Sequence, residues 1–280
     1  MATGFVVTLA ISVGLALAGI PSTCERPGQV VLSFDQGPGA TTGKVLDVLS
    51  RRNVPAMFHF SADLFQNATW RGYVQRAAYE GHTIGLFVPD IGSPVAKAVE
   101  DFTDKDWDEY ELVLSQRLAR DINWIASITG RPPRHVRFGR KTIPSNSRKM
   151  AEVMGLHVTR PRIEIRDESN KMDVIWNSIN KAFNGTDPAT NSFIIRLRDI
   201  MPNMVASLDK LIDYVEEKGF RIVPMEACQP VPDRLNHFKA LGGDLKQYGK
   251  MSSNDASSGM KISFMTLGLM TILAIILLID

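Results

Sequence analysis

Cysteine is scarce in this 280-residue sequence, which contains only two, and neither sign of charge predominates. The 32 lysine and arginine residues nearly balance the 30 aspartate and glutamate residues, so the formal net charge is +2. Because no block of basic residues is present either, we expect no nucleic-acid partner. The two cysteines exclude a disulfide-dense fold, and the 44% content of hydrophobic residues excludes a disordered or collagen-like chain.

Long apolar runs are missing from the interior of the sequence and occur only at its two ends. Residues 5–20 form a run of signal-peptide length, without a positively charged start but with Ala16 and Ala18 in an A-x-A arrangement. We predict a secretory signal peptide over residues 1–18, cleaved after Ala18 or nearer to Cys24. A transmembrane anchor is the alternative, but the run is shorter than the roughly 20 residues that span a bilayer.

At the C-terminus a polar stretch, residues 233–259, precedes a hydrophobic tail over residues 260–280. This order predicts a polar stalk and a glycosylphosphatidylinositol (GPI) attachment signal, with Ser253 or Asn254 as the acceptor. A single membrane helix is the alternative, but no basic stop-transfer cluster follows the tail. We therefore expect a GPI-anchored protein at the extracellular face of the plasma membrane or in the cell wall.

Secretion would place the chain in an oxidising compartment, which favours a disulfide between Cys24 and Cys228. It would also make the two N-x-S/T sequons, at Asn67 and Asn184, candidate glycosylation sites. An unused sequon is the alternative at each position.

The core over residues 24–232 alternates between strand-like and helix-like stretches. Seven short runs rich in β-branched and apolar residues lie at Val30–Phe34, Ala56–Phe60, Thr83–Phe87, His135–Phe138, His157–Thr159, Phe193–Leu197 and Arg221–Val223. Helical periodicity fills most of the gaps between them. The alternation predicts a single α/β domain, a distorted (β/α) barrel of about seven parallel strands with right-handed crossovers. An open parallel sheet would give the same pattern.

A glycine-rich segment, residues 37–44, follows the first strand as a phosphate-binding P-loop would. However, five residues rather than four separate Gly37 from Gly43, and Val45 takes the place of the hydroxyl residue that would bind magnesium. We therefore exclude nucleotide binding. In a β/α barrel, the functional residues are expected at the C-terminal ends of the strands.

The first strand and the turn after it, VVLSFDQGP at residues 30–38, resemble the T-F-D-D-G-P motif of the polysaccharide deacetylases, the NodB-like family that includes chitin deacetylases. The similarity continues through KVLDVLSRRNVPAMFHF and EGHTIG, and it returns at FIIRLRDI and LDKLIDYVEEKGFRIVPMEA. The resemblance implies a distorted β/α barrel and metal-assisted amide hydrolysis. In that reaction a divalent cation, usually zinc, polarises the acetyl carbonyl and activates water.

Several functional positions of the family carry different residues in this sequence. The resemblance assigns the catalytic base to Asp35, but neutral Gln36 stands where the family has its carboxylate metal ligand. The two metal-binding histidines fall on Phe87 and Ile91. The general-acid histidine falls on Arg198, which cannot release a proton near neutral pH.

Arg137 and Asp199 match the family and, with Asp35, make up a vestigial catalytic set. No two of the five histidines lie three to five residues apart, so the sequence offers no local histidine pair for zinc. His59 and Asp35 could meet at the barrel mouth, but two ligands do not complete a zinc site. We therefore expect no metal cofactor. We expect four arginines to lie at the mouth and to pair with Asp35 and Asp199, namely Arg137, Arg140, Arg160 and Arg198.

These substitutions together predict a catalytically silent, surface-anchored deacetylase homologue that is monomeric and binds chitin or another cell-wall glycan. Trp70, Trp107 or Tyr110 could stack on sugar rings, although packing in the core or at the rim explains each of them more simply. Two alternatives stay open. One is an active chitin deacetylase, metal-dependent or with a rearranged site, that releases acetate from N-acetylglucosamine polymers. The other is a surface scaffold that binds protein.

Overall fold

The computed structural model describes residues 20–90, 103–139, 143–165 and 170–231. The predicted signal peptide, stalk and C-terminal tail lie outside these residues, as do Ile91, Arg140, Ser253 and Asn254. Within the described part of the chain, no helix is both long enough and apolar enough to cross a membrane.

Strands and helices alternate along the described chain, as the sequence predicts. The strands are β1 (Gln29–Asp35), β2 (Met57–Phe60), β3 (Thr83–Val88), β4 (His135–Phe138), β5 (His157–Val158), β6 (Ile163–Glu164), β7 (Phe193–Arg198) and β8 (Arg221–Ile222). The helices are α1 (Thr42–Arg52), α2 (Ala68–Tyr79), α3 (Asp104–Thr129), α4 (Ser145–Val153), α5 (Met172–Phe183), α6 (Pro202–Glu217) and α7 (Met225–Cys228). A 3-10 helix, Ala62–Leu64, lies between β2 and α2.

The strands form one parallel sheet in the order β5-β4-β3-β2-β1-β7-β6. β7 pairs with β1 along one edge, from Val30 to Asp35. The other edge of β1 pairs first with β8, at Gln29 and Val30, and then with β2 from Ser33 onward. The sheet curls into a half-barrel, which confirms the predicted fold class. Of the described strands, only β6, which has two residues, is not predicted from the sequence.

Alternate residues of the strands face two different cores. Val30, Leu32 and Phe34 of β1 belong to the large hydrophobic core between the sheet and the helices. Val31 belongs to a smaller cluster inside the curl. Because side chains alternate along a strand, Ser33 and Asp35 share the inward face with Val31. The inward face of β1 therefore changes from apolar near its start to polar at its carboxyl end.

A disulfide closes the amino-terminal end of the curl. Cys24, ahead of β1, is bonded to Cys228 at the end of α7, as predicted. Next to the disulfide, the backbone N–H of Glu25 donates to the carbonyl of Cys228 at 2.9 Å. Gln229 Nε2 donates to the Thr23 carbonyl at 2.8 Å. These bonds tie the start of the domain to its end, and the carboxyl ends of the strands form the mouth on the opposite side.

Candidate functional site

Asp35, the last residue of β1, lies at the mouth between two neighbouring strands. The strand register places it beside His59 on β2 and beside Arg198 on β7. Because side chains alternate along β7, Arg196 and Arg198 face the inside of the curl together. Asp35 is fully buried. Its carboxylate is therefore out of contact with bulk water.

Two guanidinium groups neutralise the Asp35 carboxylate. Arg196 Nε donates to Asp35 Oδ2 at 3.0 Å, and Arg137 Nε lies 3.5 Å from the same oxygen. Burial raises the pKa of Asp35, but Arg137, His59 and Arg196 together outweigh burial and hold the pKa below its usual value. Asp35 is therefore an ionised carboxylate that accepts hydrogen bonds and has no proton to donate.

His59 connects Asp35 to Thr159. The Nδ1 atom of His59 lies 2.9 Å from Asp35 Oδ1, and its Nε2 atom lies 2.8 Å from Thr159 Oγ1. Burial, and then the charge of Arg137, lower the pKa of His59 to about 4, so the imidazole is neutral at pH 7. Because Asp35 can only accept, Nδ1 carries the proton and Nε2 accepts a hydrogen bond from the Thr159 hydroxyl.

The order Thr159, His59, Asp35 is that of hydroxyl nucleophile, base and orienting carboxylate in hydrolytic triads. All three residues are buried, since Thr159 exposes only 2% of its surface and the other two expose none. A substrate carbonyl therefore cannot reach the Thr159 hydroxyl in this conformation. The arrangement acts chemically as a closed, hydrogen-bonded ion-pair network.

Ser33 and Arg137 complete this network, which we call the Asp35 cluster. Arg137 Nη2 donates to Ser33 Oγ at 3.3 Å, and Ser33 Oγ lies 3.2 Å from His59 Nδ1. Burial lowers the pKa of Arg137, although a guanidinium keeps its charge in proteins. The members of the Asp35 cluster are Ser33, Asp35, His59, Arg137, Thr159 and Arg196.

Three members of the cluster are not predicted from the sequence, namely Ser33, Thr159 and the charged Arg196. The alternation in FIIRLR, which puts Arg196 on the same face as Arg198, is the signal that could have found it. Arg198 itself is 9% exposed. Arg160 is exposed, because the preceding residue, Thr159, takes the inward position. Its exposure keeps Arg160 out of the buried contacts of Asp35, and its place at the mouth stays a prediction.

The residues at the family's metal positions do not fit a divalent cation. Phe87 is buried and has no ligand atom, Gln36 is neutral, and Ile91 lies outside the described residues. In the described ranges, no group of three His, Cys, Asp or Glu side chains could hold a metal ion. The positive charges that already contact Asp35 would also repel a cation at that carboxylate.

Asp199 lies apart from the Asp35 cluster, directly after β7. Its Oδ2 atom accepts a hydrogen bond of 2.5 Å from the hydroxyl of Thr42, at the start of α1. Burial raises the pKa of Asp199 to about 7 despite this bond. The prediction that Asp199 pairs with an arginine is wrong. The side chain of Asp199 turns toward α1 and accepts its hydrogen bond from the Thr42 hydroxyl, whereas Arg196 and Arg198 face the inside of the curl.

The aromatic residues offered as sugar contacts differ in their surroundings. Tyr110 is buried in α3 and its hydroxyl accepts a hydrogen bond from Ser147 at 3.3 Å, so its ring is not available for stacking on a sugar. Trp70 is half-buried at the start of α2. The side chain of Trp107 is not among those described.

The asparagines of both sequons are exposed. Asn67 caps α2, where its Oδ1 atom accepts a hydrogen bond of 3.2 Å from the backbone of Trp70. The Nδ2 atom, to which an N-linked glycan attaches, takes no part in this bond. Asn184 follows the end of α5. Glycosylation at these two positions stays a prediction.

Comparison with known proteins identifies the family. The polysaccharide deacetylase family model matches residues 22–159. The chitin deacetylase of Colletotrichum lindemuthianum is 25% identical over 215 residues, which are 73% of this chain and 81% of the fungal protein. The solved structure of the chitin deacetylase from that fungus superposes with a TM-score of 0.64 at 23% identity, over 76% of this chain and 92% of the other.

A second solved structure is that of a CE4 family pseudoenzyme from Bacillus anthracis, which superposes with a TM-score of 0.58 at 13% identity, over 72% of this chain and 65% of the other. At these identities the two solved structures support the fold alone. Together with the family model and the fungal relative, they agree with the motif order and the parallel half-barrel. Residues 22–159 of this chain therefore resemble the NodB-like polysaccharide deacetylase family in sequence, and the described domain has the fold of that family.

Proposed function

We propose that this chain is a deacetylase homologue of the cell surface that does not hydrolyse acetyl groups and acts by binding a glycan. The observation that carries the proposal is the burial of Asp35 under Arg137 and Arg196. A general base must reach a water molecule or the substrate through a free lone pair. Here His59, Arg137 and Arg196 already contact the oxygens of Asp35.

The glycan part of the proposal rests on the family. A relative over most of this chain is named as a chitin deacetylase, which favours chitin or another polymer of N-acetylated sugars as the partner. The location rests on the predicted signal peptide and C-terminal anchor, which would hold the domain at the extracellular face of the membrane. In this proposal the domain binds wall polymer without changing it.

Acetate release from chitin oligosaccharides tests the loss of hydrolysis. The purified protein is incubated with the oligosaccharides and zinc or cobalt, and bound metal is counted on the same sample. We expect no acetate above the background and no stoichiometric metal. Retention of the protein on chitin and on a panel of other wall glycans tests the binding role. Acetate release that disappears in Asp35→Asn would contradict the first part, and failure of every glycan to retain the protein would contradict the second.

Restoring the family's residues gives a sharper test of why activity is lost. One variant combines Gln36→Asp, Phe87→His, Ile91→His and Arg198→His, and a second adds Arg196→Leu. A mutant of the Bacillus anthracis pseudoenzyme is described as having restored enzymatic activity, which gives a precedent for this approach. We expect the second variant to take up more zinc than the first, because the positive charge of Arg196 no longer repels a cation beside Asp35. Equal zinc uptake would show that Arg196 does not oppose the metal.

The Thr159–His59–Asp35 order supports a second candidate function, hydrolysis without a metal after the mouth opens. In this case the wild-type protein would release acetate in the presence of a chelator. The conservative variant Thr159→Val, which keeps the side-chain shape and removes the hydroxyl, would abolish that release. Acetate release that a chelator stops would favour the metal-dependent alternative instead.

A further inference from the structure

A cavity of about 230 Å³ lies at the end of the half-barrel opposite the Asp35 cluster. Thr83 and His135, the first residues of β3 and β4, line it, together with the 131–134 loop before β4. Asp35 and Arg198 are the last residues of their strands, so the two sites lie at opposite ends of a parallel sheet. The cavity is therefore separate from the family's catalytic position.

One wall of the cavity carries a polar side chain with unmet hydrogen-bonding capacity. His135 is fully buried and lines the cavity, and neither of its ring nitrogens has a hydrogen-bond partner among the described residues. A neutral imidazole offers one donor and one acceptor. Leaving both unpaired in the interior is costly. Because His135 exposes none of its surface, a ligand meets its ring nitrogens only when the ring turns toward the cavity.

A second wall presents an acceptor and donors that are held in place. Thr83 Oγ1 donates to Glu226 Oε2 at 2.6 Å, which fixes the carboxylate. Arg134 Nη2 lies 3.8 Å from Glu226 Oε1, and Arg134 Nη1 donates to the Val231 carbonyl at 3.5 Å. The exposed Arg131 also lines the cavity. A carboxylate next to guanidinium groups can bind adjacent hydroxyl groups, one as a donor and the other as an acceptor.

The remaining walls are apolar. Ile84, Ile125, Pro132 and Pro133 line the cavity between these polar groups. The volume lies below the range of pockets that enclose drug-sized ligands, so the cavity suits a smaller molecule. A ligand that matches all walls has C–H faces and several hydroxyl groups around one ring. A simple anion would satisfy the arginines but would face Glu226 and the apolar walls.

We propose that this cavity is a binding site for a single polyhydroxylated ring, such as a monosaccharide or the terminal sugar of a chain. Glu226 and Arg134 bind neighbouring hydroxyl groups, and the prolines and isoleucines contact the C–H faces of the ring. His135 binds a further hydroxyl after its buried ring turns toward the cavity. Binding at this site does not depend on the Asp35 cluster or on the binding of wall polymer proposed above.

The test is an NMR titration of the full-length protein with glucose, N-acetylglucosamine and, as an anion probe, inorganic phosphate. The imidazole resonances of His135 report on the cavity, and those of His59 report on the Asp35 cluster. We expect saturable shifts at His135 but not at His59 with at least one of the two sugars, with a dissociation constant on the order of 1 mM. Phosphate should cause no saturable shift at His135.

Variants assign the binding to the cavity. Glu226→Gln should weaken sugar binding by about tenfold or more, because the ligand loses a hydrogen bond to a charged group. Arg131→Ala should weaken it less, because Arg131 is exposed. Glu152→Gln on α4, outside the cavity lining, is the matched control and should leave binding unchanged. Binding of phosphate alone, no saturable shift with either sugar, or undiminished sugar binding in Glu226→Gln would each overturn the proposal.

Discussion

Two arginines reach the buried Asp35 carboxylate from different strands, Arg137 from β4 and Arg196 from β7. Removing one partner of a buried charge costs free energy because the remaining charge loses its compensation. We expect Arg196→Leu to lower the free energy of unfolding by about 2 kcal/mol, since Arg137 still contacts Asp35 after the change. Chemical denaturation followed by circular dichroism measures this difference.

Glu164 provides the matched control for this prediction. It pairs with the same arginine, Arg196, at 3.4 Å, but 64% of its side chain is exposed. Exposed ion pairs contribute little to stability. Glu164→Gln should therefore change the free energy of unfolding by less than about 1 kcal/mol. Equal losses for the two variants would mean that the stabilisation comes from the outer pair rather than from Asp35.

Asp199 predicts a dependence of stability on pH. Burial raises the pKa of this carboxyl from its ordinary value of 3.8 to about 7 in the folded protein. The unfolded chain therefore releases this proton first, and the free energy of unfolding falls as the pH rises from about 4 to 7. Asp199→Asn removes this contribution. We expect the variant to gain stability relative to wild type between pH 5 and pH 8, as measured by urea denaturation at each pH. A constant difference across this range would contradict the raised pKa.

The residues of the site could be predicted from the sequence only where a motif or an alternation pointed to them. Asp35 and Arg137 follow from motif positions, and both belong to the observed cluster. Thr159 could not be assigned to it, because its bond to His59 joins residues 100 positions apart. Asp199 was assigned the wrong partner, since the sequence does not show that its side chain turns toward Thr42.

At the scale of the elements, the turn after β1 packs directly against the turn after β7. A Cβ atom on Gly37 would lie 2.1 Å from Asp199 Oδ2, so only glycine leaves room for that carboxylate. We expect Gly37→Ala to lower the free energy of unfolding by about 1–3 kcal/mol through overpacking. In the double variant Gly37→Ala/Asp199→Ala the clash is gone, so the two losses should not add. Additive losses in a double-mutant cycle would show that the two turns do not compete for the same space.

Hydrophobic alternation and apolar runs predict the longer strands, because each of these strands contributes several residues to a buried face. β6 escaped prediction because it has two residues, Ile163 and Glu164, and two residues show no period. Its pairing with Ile195 and Arg196 of β7 depends on how the chain folds back after β5. The strand order could not be predicted for the same reason, since β1 takes its place between β2 and β7 only through contacts between distant parts of the chain.

At the scale of the whole molecule, the two ends of the half-barrel are closed by different means. The Asp35 cluster holds the carboxyl ends of β1, β2, β4 and β7 together through charges and hydrogen bonds. The Cys24–Cys228 disulfide holds the amino-terminal end through a covalent bond. A strongly acidic pH, which protonates Asp35, acts on the first closure, and a reducing agent acts on the second. The two closures can therefore be weakened separately.

The disulfide joins residues 204 positions apart, so it restricts the unfolded chain over almost the whole domain. Loop-closure entropy increases with loop length, and we expect Cys24→Ala/Cys228→Ala to lower the free energy of unfolding by about 3–5 kcal/mol. Both cysteines are buried, so part of any loss comes from packing. Comparing the double variant with wild type in a reducing agent separates the two effects, because reduction breaks the bond and keeps both sulfurs. If reduced and oxidised wild-type protein unfold at the same denaturant concentration, the covalent bond does not stabilise the fold. In that case the hydrogen bonds of Glu25 and Gln229 suffice to hold this end closed.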